Sequence, residues 1–265
     1  MDRARVIVEI CIASVDDAVT AAGGGADRVE LNAALELGGL TPSLGTLVEV
    51  RSVATVPVVA MARPRPGGFC YSEAEFRTLR RDVDLALDHG ADGVAFGVLT
   101  PDGRVDVRRC RQVVGQIGSG PRGRVQGAVF HRAFDFTPDP VEALDTLIDL
   151  GVRRVMTSGQ RRTAFEGAHL IAALVRRAAN GIEILPAGGI RPANAAELLA
   201  RTGCDQLHAS LRERRTDESL RAKPGAILAA SLALSAQNPD GEFDATSPQL
   251  LEELLRSVRA SRHRG

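Results

Sequence analysis

The chain has 265 residues, and its 33 lysines and arginines balance its 33 aspartates and glutamates, so the formal net charge is zero. Binding to a nucleic-acid backbone needs a surplus of cations, and stacking on bases needs aromatic side chains, which make up only 3% of this chain. The longest mostly apolar stretch, residues 226–236, is shorter than the roughly 20 residues that span a bilayer. We therefore expect a soluble protein that does not bind nucleic acid.

The N-terminal residues and the cysteine spacing indicate the compartment. Residues 6–12 form a short strand-like run that Glu9 interrupts, and they lack the long apolar segment of a secretory signal. The four cysteines have no C-x-x-C spacing, so neither a disulfide framework nor a thiolate zinc site is predicted. The sequence favours a cytoplasmic protein with free thiols.

Short apolar, β-branched runs alternate along the chain with amphipathic stretches rich in alanine, leucine and arginine. This alternation is typical of repeated βα units around a parallel sheet. The runs begin near Val6, Asp27, Pro57, Asp92, Val125, Arg153, Ile182 and Cys204. Eight such units in about 250 residues match the size of a (β/α)8 barrel. The sequence therefore predicts an α/β protein with a single TIM-type barrel.

Glycines precede several of these runs, where a helix has to end in a left-handed conformation. These glycines are Gly25, Gly90, Gly151 and Gly203. A doubly wound open sheet is the alternative, but no G-x-G-x-x-G fingerprint follows a predicted strand. We expect one domain over residues 1–265, with the barrel strands in 6–210. Residues 211–260 are predicted to form an irregular segment to Thr246 and a closing helix over about 247–259.

Polar side chains interrupt the first, second and eighth predicted strands. Apolar residues at alternate positions have to pack beneath the helices, so their neighbours face the barrel interior. The residues predicted to face inward are Glu9, Cys11, Arg28, Glu30, Asn32, Gln206, His208 and Ser210. These three strands are neighbours in a closed barrel, so the residues form one patch. Because buried carboxylates require partners, the patch is either a structural ion-pair network or a functional site.

The carboxyl ends of the strands carry further polar residues, at the edge where barrel enzymes place their active sites. They are Arg63 and Arg65 after the third strand, His131, Arg132 and Asp135 after the fifth, Ser158 after the sixth, and Gly188 and Gly189 after the seventh. Alternation does not decide whether His131 or Arg132 faces inward. The Gly188-Gly189 turn exposes backbone amides ahead of a helix, which suits a phosphate or carboxylate; alternatively, it only permits close packing.

Several of these segments resemble the CutC family, whose members are often called copper homeostasis proteins. The similar segments are Glu9-Ile10-Cys11 and residues 25–31, 38–43, 63–65, 130–135 and 157–159. The resemblance extends to about Ser210. It implies a TIM-type barrel, a cytoplasmic homo-oligomer such as a dimer, and binding of Cu(I).

One position departs from the family pattern at a residue that is expected to bind copper. Family members commonly carry a second cysteine directly after the Val-Glu-Leu segment, where this chain has Asn32. Cu(I) selects thiolate and thioether donors. The resemblance therefore implies Cu(I) bound through Cys11, with His131 or His208 as companions and with one soft ligand fewer than in the family.

These residues fit three functional hypotheses. The first is a copper-handling protein that binds Cu(I) through Cys11. The second is an enzyme that acts on a small phosphorylated or carboxylated metabolite, with acid/base catalysis by Glu9, Glu30, His131 and His208. Its ligand-binding residues would be Arg28, Arg63, Arg65, Arg132, Asp135, Ser158, Gly188 and Gly189. The third is a ligand-binding or oligomeric scaffold without turnover. Schiff-base chemistry is disfavoured because the only lysine, Lys223, lies in the tail.

Overall fold

Eight parallel strands form a nearly closed barrel at the centre of the protein, whose computed structural model describes residues 5–119, 127–218 and 242–260. The strands are β1 (Ile7–Ile12), β2 (Arg28–Leu31), β3 (Val58–Met61), β4 (Gly93–Phe96), β5 (Gly127–Phe130), β6 (Arg154–Thr157), β7 (Glu183–Pro186) and β8 (Gln206–Ala209). They pair in consecutive order from β1 to β7, and β8 pairs with β1. A bridge between Ala187, directly after β7, and His208 of β8 joins the two ends of the sheet. The predicted TIM-type barrel is confirmed.

Helices follow the strands and surround the barrel. They are α1 (Val15–Gly23), α2 (Leu44–Val53), α3 (Glu73–Asp88), α4 (Val107–Ser119), α5 (Pro140–Asp149), α6 (Ala168–Ala178), α7 (Pro192–Thr202) and α8 (Pro248–Ala260), with short 3-10 segments at Leu35–Leu37 and Arg132–Phe136. Within the described ranges, none of these helices combines the length and the apolar composition that crossing a lipid bilayer requires.

The local signals in the sequence place the ends of these elements well. The strands begin one or two residues after the predicted positions. The four glycines predicted to end helices all have positive φ angles, of 93° at Gly25, 97° at Gly90, and 74° at both Gly151 and Gly203. The predicted strand start at Val125 and the lone Lys223 lie outside the described residues.

Two short strands lie within the segment that the sequence predicts to be irregular. β9 (Arg212–Thr216) pairs antiparallel with β10 (Glu242–Thr246), and both consist largely of charged and polar residues that give no apolar strand signal. Asp17 of α1 anchors the pair, since its carboxylate accepts hydrogen bonds from the Thr246 backbone N–H (2.6 Å) and from Arg212 Nη1 (2.8 Å). The closing helix α8 then packs against α7 and α1.

The barrel interior has an apolar wall and a polar wall. Alternate strand residues such as Val8, Ile10 and Val29 are fully buried in the core between the strands and the helices. Inside the barrel, the apolar wall on β3, β4 and β5 consists of Val59, Met61, Ala95 and Val129. The opposite wall, on β8, β1 and β2, carries most of the charged residues, and Arg154 of β6 and Glu183 of β7 adjoin it. This asymmetry places the candidate site on one side of the barrel.

Candidate active site

Side chains from β8, β1 and β2 meet inside the barrel because the strand register places them side by side. His208 lies opposite Glu9, Glu9 lies opposite Arg28, and Cys11 lies opposite Glu30. All five side chains are buried. The structure therefore brings together the inward-facing patch that strand alternation predicts, and it divides the patch into two layers.

The lower layer is a structural ion-pair network. Glu9 pairs with Arg28, while Gln206 Oε1 accepts hydrogen bonds from Arg28 Nη2 and Arg154 Nε, both at 3.1 Å. Arg154 is 1% exposed and pairs through Nη2 with Glu183 Oε2 at 2.6 Å. Two cations thus face two carboxylates, which offsets the several kcal/mol that burying each charge costs. Burial alone would raise the pKa of Glu9, but Arg28 and His208 outweigh it and hold that pKa well below its usual range.

Arg154 and Glu183 are not among the site residues predicted from the sequence. The signal was nevertheless present, because each is a charged residue at the start of an otherwise apolar strand. The same alternation rule that places Glu9 and Arg28 inside the barrel would have included both.

The upper layer is centred on His208, which lies between two carboxylates. Its Nδ1 is 2.7 Å from Glu9 Oε1, and its Nε2 is 3.8 Å from Glu30 Oε2. Burial alone would lower the pKa of His208, but Glu30, Cys11 and Glu9 together raise it well above the ordinary value. The ring is therefore a cation near neutral pH, with Nδ1–H bonded to Glu9 and Nε2–H on the side of Glu30.

Glu30 is the incompletely bonded carboxylate of this layer. Its Oε2 accepts a hydrogen bond from Asn32 Nδ2 at 2.9 Å, whereas its buried Oε1 has no hydrogen-bond partner among the described residues. Burial and the Glu9 charge raise the pKa of Glu30. The His208 cation lowers that pKa, but burial outweighs it. The charges of Glu30 and His208 therefore influence each other across a distance of 3.8 Å.

Cys11 completes the upper layer as a neutral thiol. Burial raises the pKa of Cys11, and the Sγ atom accepts a hydrogen bond from Asn32 Nδ2 at 3.5 Å. Cys11, Glu30 and His208 each offer one potential metal-ligand atom, and these atoms lie within 4.8 Å of one another. Asn32 Nδ2 therefore contacts both the sulfur and the Glu30 carboxylate.

His131, at the end of β5, is a second buried histidine of the site. Its Nδ1 accepts a hydrogen bond from the Ala133 backbone N–H at 3.1 Å, while its buried Nε2 has no partner among the described residues. Burial, together with the nearby Arg63 charge, lowers the pKa of His131 to about 3. The two histidines of the site therefore differ in charge, since His131 is neutral and His208 is a cation.

Two adjoining cavities open above these residues. The inner cavity has a volume of about 210 Å³. Its polar lining comes from Cys11, Glu30, Asn32, Arg63, His131, Arg132, His208 and Ser210. The outer cavity has a volume of about 720 Å³ and is lined by the loops after β3, β4 and β5. Gly38, Arg63, Phe69 and Arg132 border both cavities, so the two cavities adjoin at these residues.

Arg63 and Arg65 stabilise loops around the cavities. Arg63 donates to the carbonyl oxygens of Leu37 (3.1 Å), Gly39 (2.9 Å) and Gly67 (2.8 Å). Arg65 pairs with Glu75 at 2.6 Å and also donates to loop carbonyls. Most donors of these two guanidinium groups are therefore occupied, which leaves them less available to an anionic ligand than the sequence alone suggests.

Arg132 is the cation with a free edge at the cavity. Its Nε donates to Asp135 Oδ2 at 2.9 Å and its Nη2 to Ser158 Oγ at 2.8 Å, while Nη1 makes no hydrogen bond to the described part of the chain. The side chain is 42% exposed. Asp135 also accepts from Thr157 Oγ1 at 2.6 Å and from the Ser158 backbone N–H at 3.0 Å, so it orients Arg132.

The glycine turn after β7 lies beside this free edge. Gly188 and Gly189 have φ angles of 103° and 69°, and a Cβ atom at Gly188 would lie 3.4 Å from Arg132 Nη1. The Gly189 backbone N–H makes no hydrogen bond to another described residue. The turn and Arg132 Nη1 therefore lie side by side at the barrel mouth.

The fold and this site define a TIM-barrel protein with a polar pocket at the carboxyl ends of its strands. The sequence model of the CutC family matches residues 6–213, which include every strand of the barrel. The chain therefore belongs to the CutC family.

Individual relatives agree with this assignment. A family protein CutC from Treponema denticola is 48% identical over 228 residues, which are 86% of this chain and 90% of the relative. A human protein named copper homeostasis protein cutC homolog is 40% identical over 230 residues, covering 86% and 82% of the two chains. The crystal structure of a protein CutC from Streptococcus agalactiae superposes with a TM-score of 0.71 at 31% identity, covering 77% of this chain and 97% of the other.

Proposed function

We propose that this protein is a TIM-barrel enzyme that carries out acid/base chemistry on a small anionic metabolite. The observation that carries the proposal is the buried Oε1 of Glu30, which has no hydrogen-bond partner among the described residues although its residue lines the inner cavity. Leaving a buried acceptor without a partner costs about 1–3 kcal/mol, and more when the group is charged. A cavity next to that oxygen supports a role in taking a proton from a bound molecule.

Glu30 and His208 have complementary roles in such a reaction. A carboxylate with a raised pKa is a better general base near neutral pH than an ordinary one. His208 holds the exchangeable proton on Nε2, because Glu9 fixes Nδ1–H through a 2.7 Å contact. Glu30 can therefore accept a proton from the ligand, and His208 can return one. Glu9 acts as a positioning residue, since it contacts His208 and Arg28.

Arg132 and the glycine turn supply the contacts for the anionic group of the metabolite. A guanidinium edge and backbone amides are both suited to the oxygens of a carboxylate or phosphate. Loops near the seventh and eighth strands are a frequent phosphate-binding position in TIM barrels. Asp135 and Ser158 hold Arg132 in place, and Gly188 keeps the turn open beside Arg132 Nη1.

Deuterium exchange tests this proposal with a mixture of candidate substrates. The protein is incubated with a metabolite extract in D2O, and metabolites that gain deuterium are found by mass spectrometry. We expect wild type to label at least one anionic metabolite, and Glu30→Gln to slow this labelling by about 10²–10⁴-fold, the usual contribution of one acid/base group. Glu252→Gln, which changes an exposed glutamate of α8, is the matched control. Equal labelling by wild type and Glu30→Gln would count against the proposal.

Cu(I) binding is a second candidate, favoured by the cluster of Cys11, Glu30 and His208. Cys11 Sγ fits the preference of Cu(I) for soft donors, and His208 offers an imidazole nitrogen, which also suits copper. The Glu9 contact to Nδ1 is the kind of outer contact that orients a histidine ligand. Binding has to displace the protons on both residues, so copper affinity should rise with pH. The copper homeostasis name of the human relative is consistent with this candidate.

A competition titration against a Cu(I) chelator tests this candidate. We expect wild type to bind one Cu(I). Changing a residue that only contacts a metal ligand typically weakens affinity by about 10–100-fold. Cys11→Ser removes a ligand itself, so it should weaken Cu(I) binding by at least that factor. Cys70→Ser is the control, because Cys70 is an exposed thiol at the outer cavity. Equal affinity of wild type and Cys11→Ser would exclude copper binding at this cluster.

A further inference from the structure

We propose that His131 is an uncharged hydrogen-bond donor that binds the reacting oxygen of the ligand in the inner cavity. The inference rests on the proposed acid/base function and adds an electrophilic partner to Glu30 and His208. It also narrows the ligand to an anionic compound that has a carbonyl oxygen next to the carbon that loses its proton.

The hydrogen bond at one side of the His131 ring determines the tautomer. Nδ1 accepts from the Ala133 backbone N–H at 3.1 Å, so the neutral ring carries its proton on Nε2. The Nε2–H group is buried, it lacks a partner among the described residues, and its side chain lines the inner cavity together with Glu30. Buried N–H groups normally have partners, so a ligand oxygen is the partner that this donor would take.

The surroundings of His131 keep the ring neutral and fixed. Burial and the neighbouring Arg63 guanidinium both lower the pKa of the ring and so disfavour the imidazolium form. The ring fills the space left by Gly97, where a Cβ atom would lie 2.5 Å from His131 Cε1. Phe69 packs against the other side, with 5.0 Å between ring centroids. The donor is therefore held in one orientation without adding a charge.

This geometry suits proton transfer next to a carbonyl group. When the Glu30 carboxylate takes a proton from the carbon, the C–H electron pair forms a C=C bond and the carbonyl becomes an enolate C–O⁻. The His131 Nε2–H group would donate a hydrogen bond to that oxygen. His208 Nε2–H then protonates the enolate at the same carbon or at the oxygen, which leaves His208 neutral. Transfer of the proton from Glu30 to His208 restores the Glu30 carboxylate and the His208 cation. A neutral donor stabilises the enolate because its hydrogen bond strengthens as negative charge develops on the oxygen.

Calorimetry with 2-phosphoglycolate as the probe tests the inference. This compound combines a phosphate with a carboxylate that resembles the enolate. We expect wild type to bind the probe, His131→Leu to bind about tenfold more weakly, as expected for one lost hydrogen bond, and His131→Gln to recover most of the affinity. The ¹⁵N NMR spectrum of wild type should show the Nε2–H tautomer of His131, with a shift of that signal when the probe binds. The spectrum needs no variant, so misfolding of His131→Leu would not prevent the test.

The possible contrary results distinguish this inference from the proposed function. If Arg132→Gln weakens probe binding while His131→Leu does not, the anion site stands and the role of His131 is overturned. An Nδ1–H tautomer, or a His131 signal that the bound probe does not shift, also overturns the role of His131. Failure of wild type to bind the probe overturns the inference and counts against the proposed anion site as well.

Discussion

Replacing Arg28 by methionine is expected to lower the free energy of unfolding by about 3–5 kcal/mol, the range for removing one partner of a buried ion pair. Arg28 pairs with Glu9, which is 1% exposed, and it also donates to Gln206 at 3.1 Å. The variant leaves the Glu9 carboxylate buried without its main cation. Urea unfolding followed by circular dichroism measures the change.

The effect of this substitution should depend on pH. Because Arg28 lowers the pKa of Glu9 in the folded state, the stabilisation is present above the pKa of an unfolded glutamate and is lost as the pH falls through the lower folded-state pKa. The gap between wild type and Arg28→Met should therefore narrow in acid. Adding Glu9→Gln to the variant should recover part of the stability at neutral pH.

Arg177→Met is the matched control for Arg28→Met. Arg177 is 57% exposed on α6 and pairs with Asp145 at 2.7 Å, so its loss should cost less than about 1 kcal/mol. If Arg28→Met proves no more destabilising than Arg177→Met, the lower layer is not the stabilising network described above.

Replacing His208 by glutamine should also destabilise the protein, by about 1.5–3 kcal/mol near pH 6, the range for a hydrogen bond between charged groups. The folded-state pKa of His208 is raised well above the ordinary value. Its stabilisation is therefore complete below the unfolded pKa of about 6.5 and is lost as the pH rises through the folded-state pKa. The stability gap between wild type and His208→Gln should shrink in alkaline solution.

Unfolding curves over a range of pH values measure this gap. His169→Gln is the control, because His169 is exposed at the start of α6 and lies outside the site. A gap between wild type and His208→Gln that grows with pH would mean that His208 is neutral in the folded protein.

Strand alternation predicts the fold and the centre of the site because both depend on local patterns. Inward-facing Glu9, Arg28 and His208 follow from apolar neighbours on each strand, and the closed barrel then makes them adjacent. The same alternation predicts that Arg154 and Glu183 face inward. This prediction requires that every strand is searched for a charged residue at an inward position. The two layers of the site could not be predicted, since they depend on the stagger between neighbouring strands.

The loop residues were less predictable, because a sequence does not show where a long side chain finds its partners. Arg63 and Arg65 follow a strand and therefore suggested an anion site, yet their donors mainly bind loop carbonyls and Glu75. Alternation left His131 and Arg132 undecided, and both line the inner cavity. Strands β9 and β10 consist largely of charged and polar residues, so the sequence shows no apolar pattern there. Their anchor, Asp17, is distant along the chain, and a local pattern does not reveal such a contact.

The electrostatic coupling between Glu30 and His208 at the inner cavity can be measured by ¹⁵N NMR of histidine-labelled protein. The His208 signals are assigned by comparison with His208→Gln. In wild type near neutral pH, both ring nitrogens of His208 should be protonated, and Glu30→Gln should shift its titration to lower pH. A His208 ring that is neutral near pH 7 and titrates identically in wild type and Glu30→Gln would show that the two groups are not coupled.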